Sequence, residues 1–220
     1  MLTLEKIVAT KEASMGIGSL IIFIAMLLVA GMTVSVLIQT MNTINQQALE
    51  TGRETVREVA SGIEVTQVSG KKNGDNITQL AIFVNPIVAS DDLDLSQTYV
   101  SLSDTNKNVI LFYDNNYFND SLSTGLFDTM DVTGLDATSF GIIVIRDIDS
   151  SCSSTPPVIN KQDIVVLMVN TSSCFGDGSP TSGIGTRIEV SGGVYPEVGV
   201  RGIIRFTTPA AFTSTIIDLQ

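Results

Sequence analysis

The chain has 220 residues, room for one large domain or for one domain plus an appendage. Hydrophobic residues make up 44% and charged residues only 16%, below the roughly 25% typical of soluble proteins. Twelve Lys and Arg stand against 23 Asp and Glu, and a net charge of −11 argues against nucleic acid as a partner. The lack of His removes Ser-His-Asp and Cys-His catalysis together with imidazole metal sites. No Trp occurs, with only four Tyr and nine Phe, so an aromatic cofactor cage is not expected either, and the composition disfavours most enzymes.

The first predicted element is a long helix. Ile17 to Ile38 is a run of 22 residues without a charge. At a rise of 1.5 Å per residue, about 20 apolar residues cross a ~30 Å hydrocarbon core, so this run is long enough to span a membrane. Lys6 and Lys11 precede it and favour a cytoplasmic N-terminus, a signal diluted by Glu5 and Glu12. A secretory signal peptide fits poorly, because the apolar run is too long and no small-x-small cleavage site follows. The helical pattern continues past the membrane length. Ile44, Ala48, Val56, Val59 and Ile63 recur at helical spacing, and Glu50–Arg53 and Glu54–Arg57 are i,i+3 charge pairs. One continuous helix over 17–60 is predicted, roughly 65 Å long. Such a helix needs partner helices, and Gly16, Gly18, Ala25, Ala30 and Gly31 are small residues that permit close approach.

After Gly62 the pattern changes to short β-branched runs. They fall at 63–68, 80–84, 99–102, 109–113, 141–146, 164–169, 186–190 and 202–207. Turn-forming stretches separate them, among them GKKNGDN, YDNNYFND and SGGVYPE. The predicted fold class is α+β: a long N-terminal hydrophobic helix followed by an antiparallel β-sandwich or barrel. Residues 62–220 hold 18 acidic and 8 basic residues, which places −10 of the −11 in the outer domain.

The run GIGSLIIFIAMLLVAGMTVSVLI resembles the N-terminal core of archaellins, the archaeal flagellins that build the archaellum. The resemblance continues through ETVREVASG and ITQLAIFVNPIVASDDLDLSQTYVSLSD, and FTTPAAFTSTIIDL near the C-terminus is also similar. It is strongest over residues 16 to about 104. The resemblance implies a structural, non-enzymatic subunit that polymerises through its helix into an extracellular filament used for swimming. Ile17, Leu20, Phe23, Ile24, Leu27, Leu28, Val34 and Leu37 would form the filament core. It further implies a precursor transiently inserted in the membrane, a prepilin-type leader peptidase, and the archaellum membrane assembly and motor machinery as partners. The expected division is a leader at 1–13, a core helix at 14–61 and an outer domain at 62–220.

Counting back from Gly16 puts leader cleavage between Ala13 and Ser14. This departs from the family pattern, with Ala instead of Gly before the bond and Glu12 beside Lys11; cleavage between Gly16 and Ile17 is the alternative. An adhesive type IV-like pilin is the alternative function. No acid occurs between Glu12 and Glu50, whereas bacterial-type pilins carry a glutamate early in the mature chain.

Three side-chain groups remain. Oxidising surroundings favour a Cys152–Cys174 disulfide, with two buried unpaired thiols as the alternative. Asn76, Asn170 and Asn119 head N-x-Ser/Thr sequons and are candidate N-glycan sites, Asn119 the poorest because Asp120 follows it. The acidic groups Asp91, Asp92, Asp94 and Asp147, Asp149 match no EF-hand loop. They are expected to be solvated surface with no bound metal, a divalent cation being the lesser alternative. No other cofactor is expected.

Overall fold

The computed structural model describes residues 2–87, 90, 92–176, 179 and 181–220, with side chains described from Gly16 onward. The chain forms two compact units, Met1–Glu54 and Thr55–Gln220. Helix α1 runs over Leu2–Ala60. It begins before the predicted Ile17 because the stretch from Leu2 to Met15 contains neither Pro nor Gly to stop it.

The end of α1 is built by specific groups. Ser61 donates both its N–H and its hydroxyl to the Arg57 carbonyl. Gly62 then leaves the helix at φ +148, where a Cβ would lie 2.3 Å from the Val200 carbonyl oxygen. Only glycine fits that turn and that approach. The Ser90 hydroxyl accepts from the Gly62 N–H at 2.9 Å and donates to the Gly62 carbonyl at 3.0 Å, so the bend is held from a second side.

Eleven strands follow among the described residues: β1 Ile63–Asn73, β2 Asn76–Pro86, β3 Leu93–Asp94, β4 Tyr99–Ser103, β5 Asn108–Asn119, β6 Ser139–Arg146, β7 Val158–Ile159, β8 Ile164–Asn170, β9 Glu189–Tyr195, β10 Gly202–Thr207 and β11 Ile216–Asp218. Nine form one sheet in the order β10-β9-β4-β5-β6-β8-β2-β1-β11, and β3 pairs with β7 beside it. The sheet curls until its ends meet. Val200 pairs with Gly62 in a parallel bridge, and the Ile63 N–H donates to Val200 O at 3.0 Å. The interior of the curl is filled by side chains such as Leu80, Ile82, Leu111, Phe140, Leu167 and Ile204, all buried.

The domain is therefore built on one curled nine-stranded sheet with the short β3–β7 pair, the barrel-like of the two expected forms. It is antiparallel except where β5 and β6 run parallel. A parallel neighbour needs a crossover, and residues 120–138 supply it through the one-turn helix α2, Leu126–Thr129, and a 3₁₀ turn at Val132–Gly134. That crossover buries Phe127, Met130, Val132 and Leu135 against Ala81, Ile143, Val166 and Met168. Strands β6 and β8 are thus covered on both faces over 140–144 and 165–169, which explains their apolar runs FGIIV and VVLMV.

Two strands differ from the sequence expectation. The YDNNYFND stretch, read as a turn, continues β5 to Asn119 across an irregularity between Tyr113 and Phe118. The SGG stretch, also read as a turn, lies inside β9. A Cβ on Gly192 would fall 2.0 Å from Ser101 O, so glycine here serves close packing of β9 on β4 and not chain reversal.

Candidate assembly surface

Helix α1 carries the principal candidate surface. From Ala13 to Leu49 it has no charged residue, and the most apolar 18-residue stretch has a mean hydropathy of 2.8. Every predicted core residue is exposed: Ile17, Leu20, Phe23, Ile24, Leu27, Leu28, Val34 and Leu37 each keep about half or more of their surface open. Full burial of one such side chain is worth about 1.5–3 kcal/mol, so the open part of all eight represents on the order of 10 kcal/mol that the isolated chain forgoes.

Four hydroxyls on the helix already have partners within it. Ser19, Thr33, Thr40 and Thr43 donate their hydroxyls to Gly16, Val29, Val36 and Gln39 carbonyls one turn back, at 2.6–3.0 Å. Such groups enter lipid or a dry helix bundle without leaving a donor unpaired. Gly16, Gly18, Gly31 and Gly52 each cost helix stability, about 1 kcal/mol relative to Ala. A Cβ at any of the four would meet nothing within 4 Å. Nothing in the isolated chain requires these glycines, whereas close approach of another helix would.

This long helix, free of charge over 13–49 and followed by a curled β-domain, has known counterparts. The model for archaeal-type flagellin matches residues 13–206. The chain belongs to that family. Flagellin B2 of Methanocaldococcus jannaschii is 42% identical over 214 residues, covering 96% of both chains. Flagellin B1 of Methanococcus voltae is 37% identical over 227 residues, covering all of each. Among solved structures, the archaeal flagellin FlaB1 of Methanocaldococcus jannaschii superposes with a TM-score of 0.64 at 34% identity, covering 73% of this chain and 98% of that one. The archaeal flagellum of Methanospirillum hungatei shares the fold, with a TM-score of 0.58 at 15% identity, over 92% of this chain and 98% of that one.

Both leader-cleavage positions, Ala13–Ser14 and Gly16–Ile17, fall within helical backbone, and the side chains before Gly16 lie outside the described residues. The expected disulfide is absent, a correction to the paired reading: Cys152 and Cys174 are both free and buried. Cys174 donates to Ala137 O at 3.7 Å, while Cys152 pairs through its backbone with Pro157. Burial pushes both thiols up to about 12. Thiols held neutral in this way are not nucleophiles at neutral pH.

The sequon asparagines are engaged in the fold. Asn170 is buried; it accepts from Ser172 N–H at 3.2 Å to cap α3, Thr171–Cys174, and donates to Leu135 O at 3.3 Å. Its side chain has no room for a glycan, which corrects that expectation for the folded domain. Asn76 and Asn119 are half-buried and donate to Thr181 O and Thr129 O.

Asp91 lies outside the described residues, and Asp94 caps the 3₁₀ turn at Leu95–Gln97 by accepting from Ser96 N–H. Asp147 and Asp149 are joined by Asp163, with one carboxylate oxygen from each within 4.8 Å of the others. Asp163 was missed in the sequence because it lies beyond the loop that brings it back. These are oxygen donors of the type a hard cation takes. They are also well used internally. Asp147 accepts from Cys152 N–H at 2.9 Å, Asp163 from Asn160 N–H at 2.9 Å, and Asp149 from the Asn160 side chain at 2.6 Å. Bonds from Asn160 and Ser151 hold the Asp149 carboxyl below the usual carboxylate range.

Proposed function

We propose that this flagellin is the structural subunit of a helical archaellum filament used for swimming, and that it polymerises through α1. The observation that carries this reading is the exposure of eight large apolar side chains on a helix with no charge over 13–49. Residues 14–61 form the filament core, and 62–220 form its extracellular coat. Residues 1–13 are a cytoplasmic leader, removed by a prepilin-type peptidase between Ala13 and Ser14 or between Gly16 and Ile17.

Before assembly the apolar stretch rests in the membrane. Gly16–Leu37 covers about 33 Å, close to one hydrocarbon core, and the remaining turns project beyond it. The membrane assembly and motor machinery then extracts the subunit, and apolar contacts with lipid are exchanged for contacts between helices. The subunit performs no catalysis; its thiols are neutral and it has no His. Asn76 and Asn119 are the sequons open to glycosylation. The adhesive-pilin alternative is not favoured, since the relatives matched along the full chain are flagellins.

Intact-mass measurement and N-terminal sequencing of protein from sheared cell-surface filaments test this reading. A chain starting at Ser14 or Ile17, with added mass at the open sequons, is the expected result. Recovery from membranes alone, starting at Met1, would overturn it.

A further inference from the structure

The outward face of β10, β9, β4 and β5 carries a row of side chains left uncovered by the rest of the domain. Antiparallel pairing sets Tyr195 opposite Tyr99 and Tyr99 opposite Phe112. The two tyrosine rings stack at 4.7 Å and 4° from parallel, and Phe112 tilts against Tyr99 at 6.4 Å. Arg201 ends the row, its guanidinium carbon 5.3 Å from the Tyr195 ring centre and its Nη1 donating to the Tyr195 hydroxyl at 2.7 Å. In the next rank, Ile203 and Ile110 flank Gly193 and Ser101, two small residues that leave a shallow trough. Phe112 is 58% exposed and Ile203 63%. Stacked aromatics present a large contact area with little side-chain freedom left to lose.

Charge sets this face apart. The outer domain holds 18 acidic and 8 basic residues, so two copies placed side by side repel over most of their surface. Here Arg205 pairs with Glu189 at 2.9 Å, and Arg201 meets a ring and a hydroxyl instead of a carboxylate. The face is apolar with a positive end on an otherwise acidic domain.

The same chain carries a complementary element. Ile148, 63% exposed, sits between Asp147 and Asp149 just beyond β6. Its N–H donates to Asp163 at 3.4 Å, and the Asn160 and Cys152 bonds to the flanking carboxylates fix the loop around it. Phe112 is level with Ser139, where β6 starts, whereas Ile148 follows Arg146, where β6 ends. Eight strand residues separate the two surfaces by roughly 25 Å, so one does not obstruct the other.

We propose that the aromatic face of one copy receives the Ile148 loop of the next, with Asp149 against Arg201 and Ile148 in the trough between Ile203 and Ile110. Two different, complementary surfaces on one chain give a head-to-tail contact, which propagates into an open helix instead of closing as a dimer. This inference rests on the filament reading above and places a second contact in the coat, outside the α1 core.

The test is site-directed cross-linking in intact filaments. Filaments of an Ile148→Cys/Ile203→Cys variant are treated with a short bis-maleimide, alongside each single variant; Cys152 and Cys174 are common to all three. The double variant is expected to give dimers, trimers and higher multiples on a denaturing gel, and the single variants none. Products stopping at dimers, or none from intact filaments, overturn the contact while leaving the filament reading standing. Should the cysteine variant fail to assemble, Arg201→Asp and Asp149→Arg decide the matter. Each alone is expected to lower the temperature at which filaments dissociate, and the pair together to restore it. No loss in either single variant, or no restoration, overturns the proposal. Wild-type cells without filaments would overturn the filament reading and this contact with it.

Discussion

Gln220 joins the two ends of the curled sheet through Arg205. Its side-chain carbonyl accepts from the Arg205 backbone N–H at 2.8 Å, and its amide nitrogen donates to Ile203 O at 3.1 Å. Its own backbone carbonyl meanwhile accepts from Val68 N–H at 3.0 Å. One residue thus bonds to β1 with its main chain and to β10 with its side chain, satisfying strand-edge groups that the sheet order leaves open.

Gln220→Ala removes both side-chain bonds. The seam is solvent-facing, so a loss of about 1–2 kcal/mol is expected, at about 0.5–1.5 kcal/mol per bond. Thermal unfolding measures this, and hydrogen exchange at the Arg205 amide should accelerate more than at Leu167 in the sheet centre. Equal acceleration at both would show general destabilisation and no local seam.

Ala25→Glu places a carboxylate among the apolar turns of α1. In a helix bundle that charge is buried without a partner, at a cost of several kcal/mol. Filaments should disappear from the cell surface, while the β-sheet circular-dichroism signal of the full chain in detergent is retained. Normal filaments from this variant would rule out α1 as the packed core.

The two unpaired thiols carry a pH signature. Both are raised from 9.0 to about 12 by burial, so the unfolded chain loses these protons at lower pH than the folded one. Their contribution is complete below pH 9 and declines as pH rises from about 9 toward 12, where the unfolded state binds fewer protons. Melting temperature should therefore fall less steeply over that range in a Cys152→Ala/Cys174→Ala variant than in the wild type. Alkylation in denaturant without reductant should add two adducts per chain, and no adducts would indicate a disulfide.

Gly192→Ala forces a methyl group to within 2.0 Å of Ser101 O, a backbone atom that cannot step aside. Overpacking of this kind costs about 1–3 kcal/mol, here by prising β9 from β4. The melting temperature should drop, with exchange protection lost at Ser101 and Leu102. An unchanged melting temperature would show that the strands separate freely at this point.

Asn170→Ala removes the cap of α3 and the bond to Leu135 O, an expected loss of about 1–2 kcal/mol. Because this asparagine is buried, the variant should leave the glycan mass unchanged, whereas Asn76→Gln should reduce it. Intact-mass spectra of filament protein separate the two cases.

What the sequence determined by itself is local and periodic. A charge-free run of 37 residues without Pro forms a helix because each backbone group bonds within the segment, and the predominantly apolar part over 17–38 requires apolar surroundings wherever it goes. The β-branched runs separated by turn-formers likewise mark strands wherever only one local pattern competes. Tertiary structure decided the rest. Whether the glycines of SGG reverse the chain or let β9 lie against β4 depends on Ser101, some 90 positions away in sequence. The parallel pairing of β5 and β6 depends on a crossover that covers the outer face of β6 and β8, whose inner face lines the core of the curl. Asp163 meets Asp147 and Asp149 only because β8 returns antiparallel beside β6, and Cys152 and Cys174 are unpaired although both are buried in the same core. Long-range proximity is fixed by how faces pack, and no local pattern in the chain encodes it.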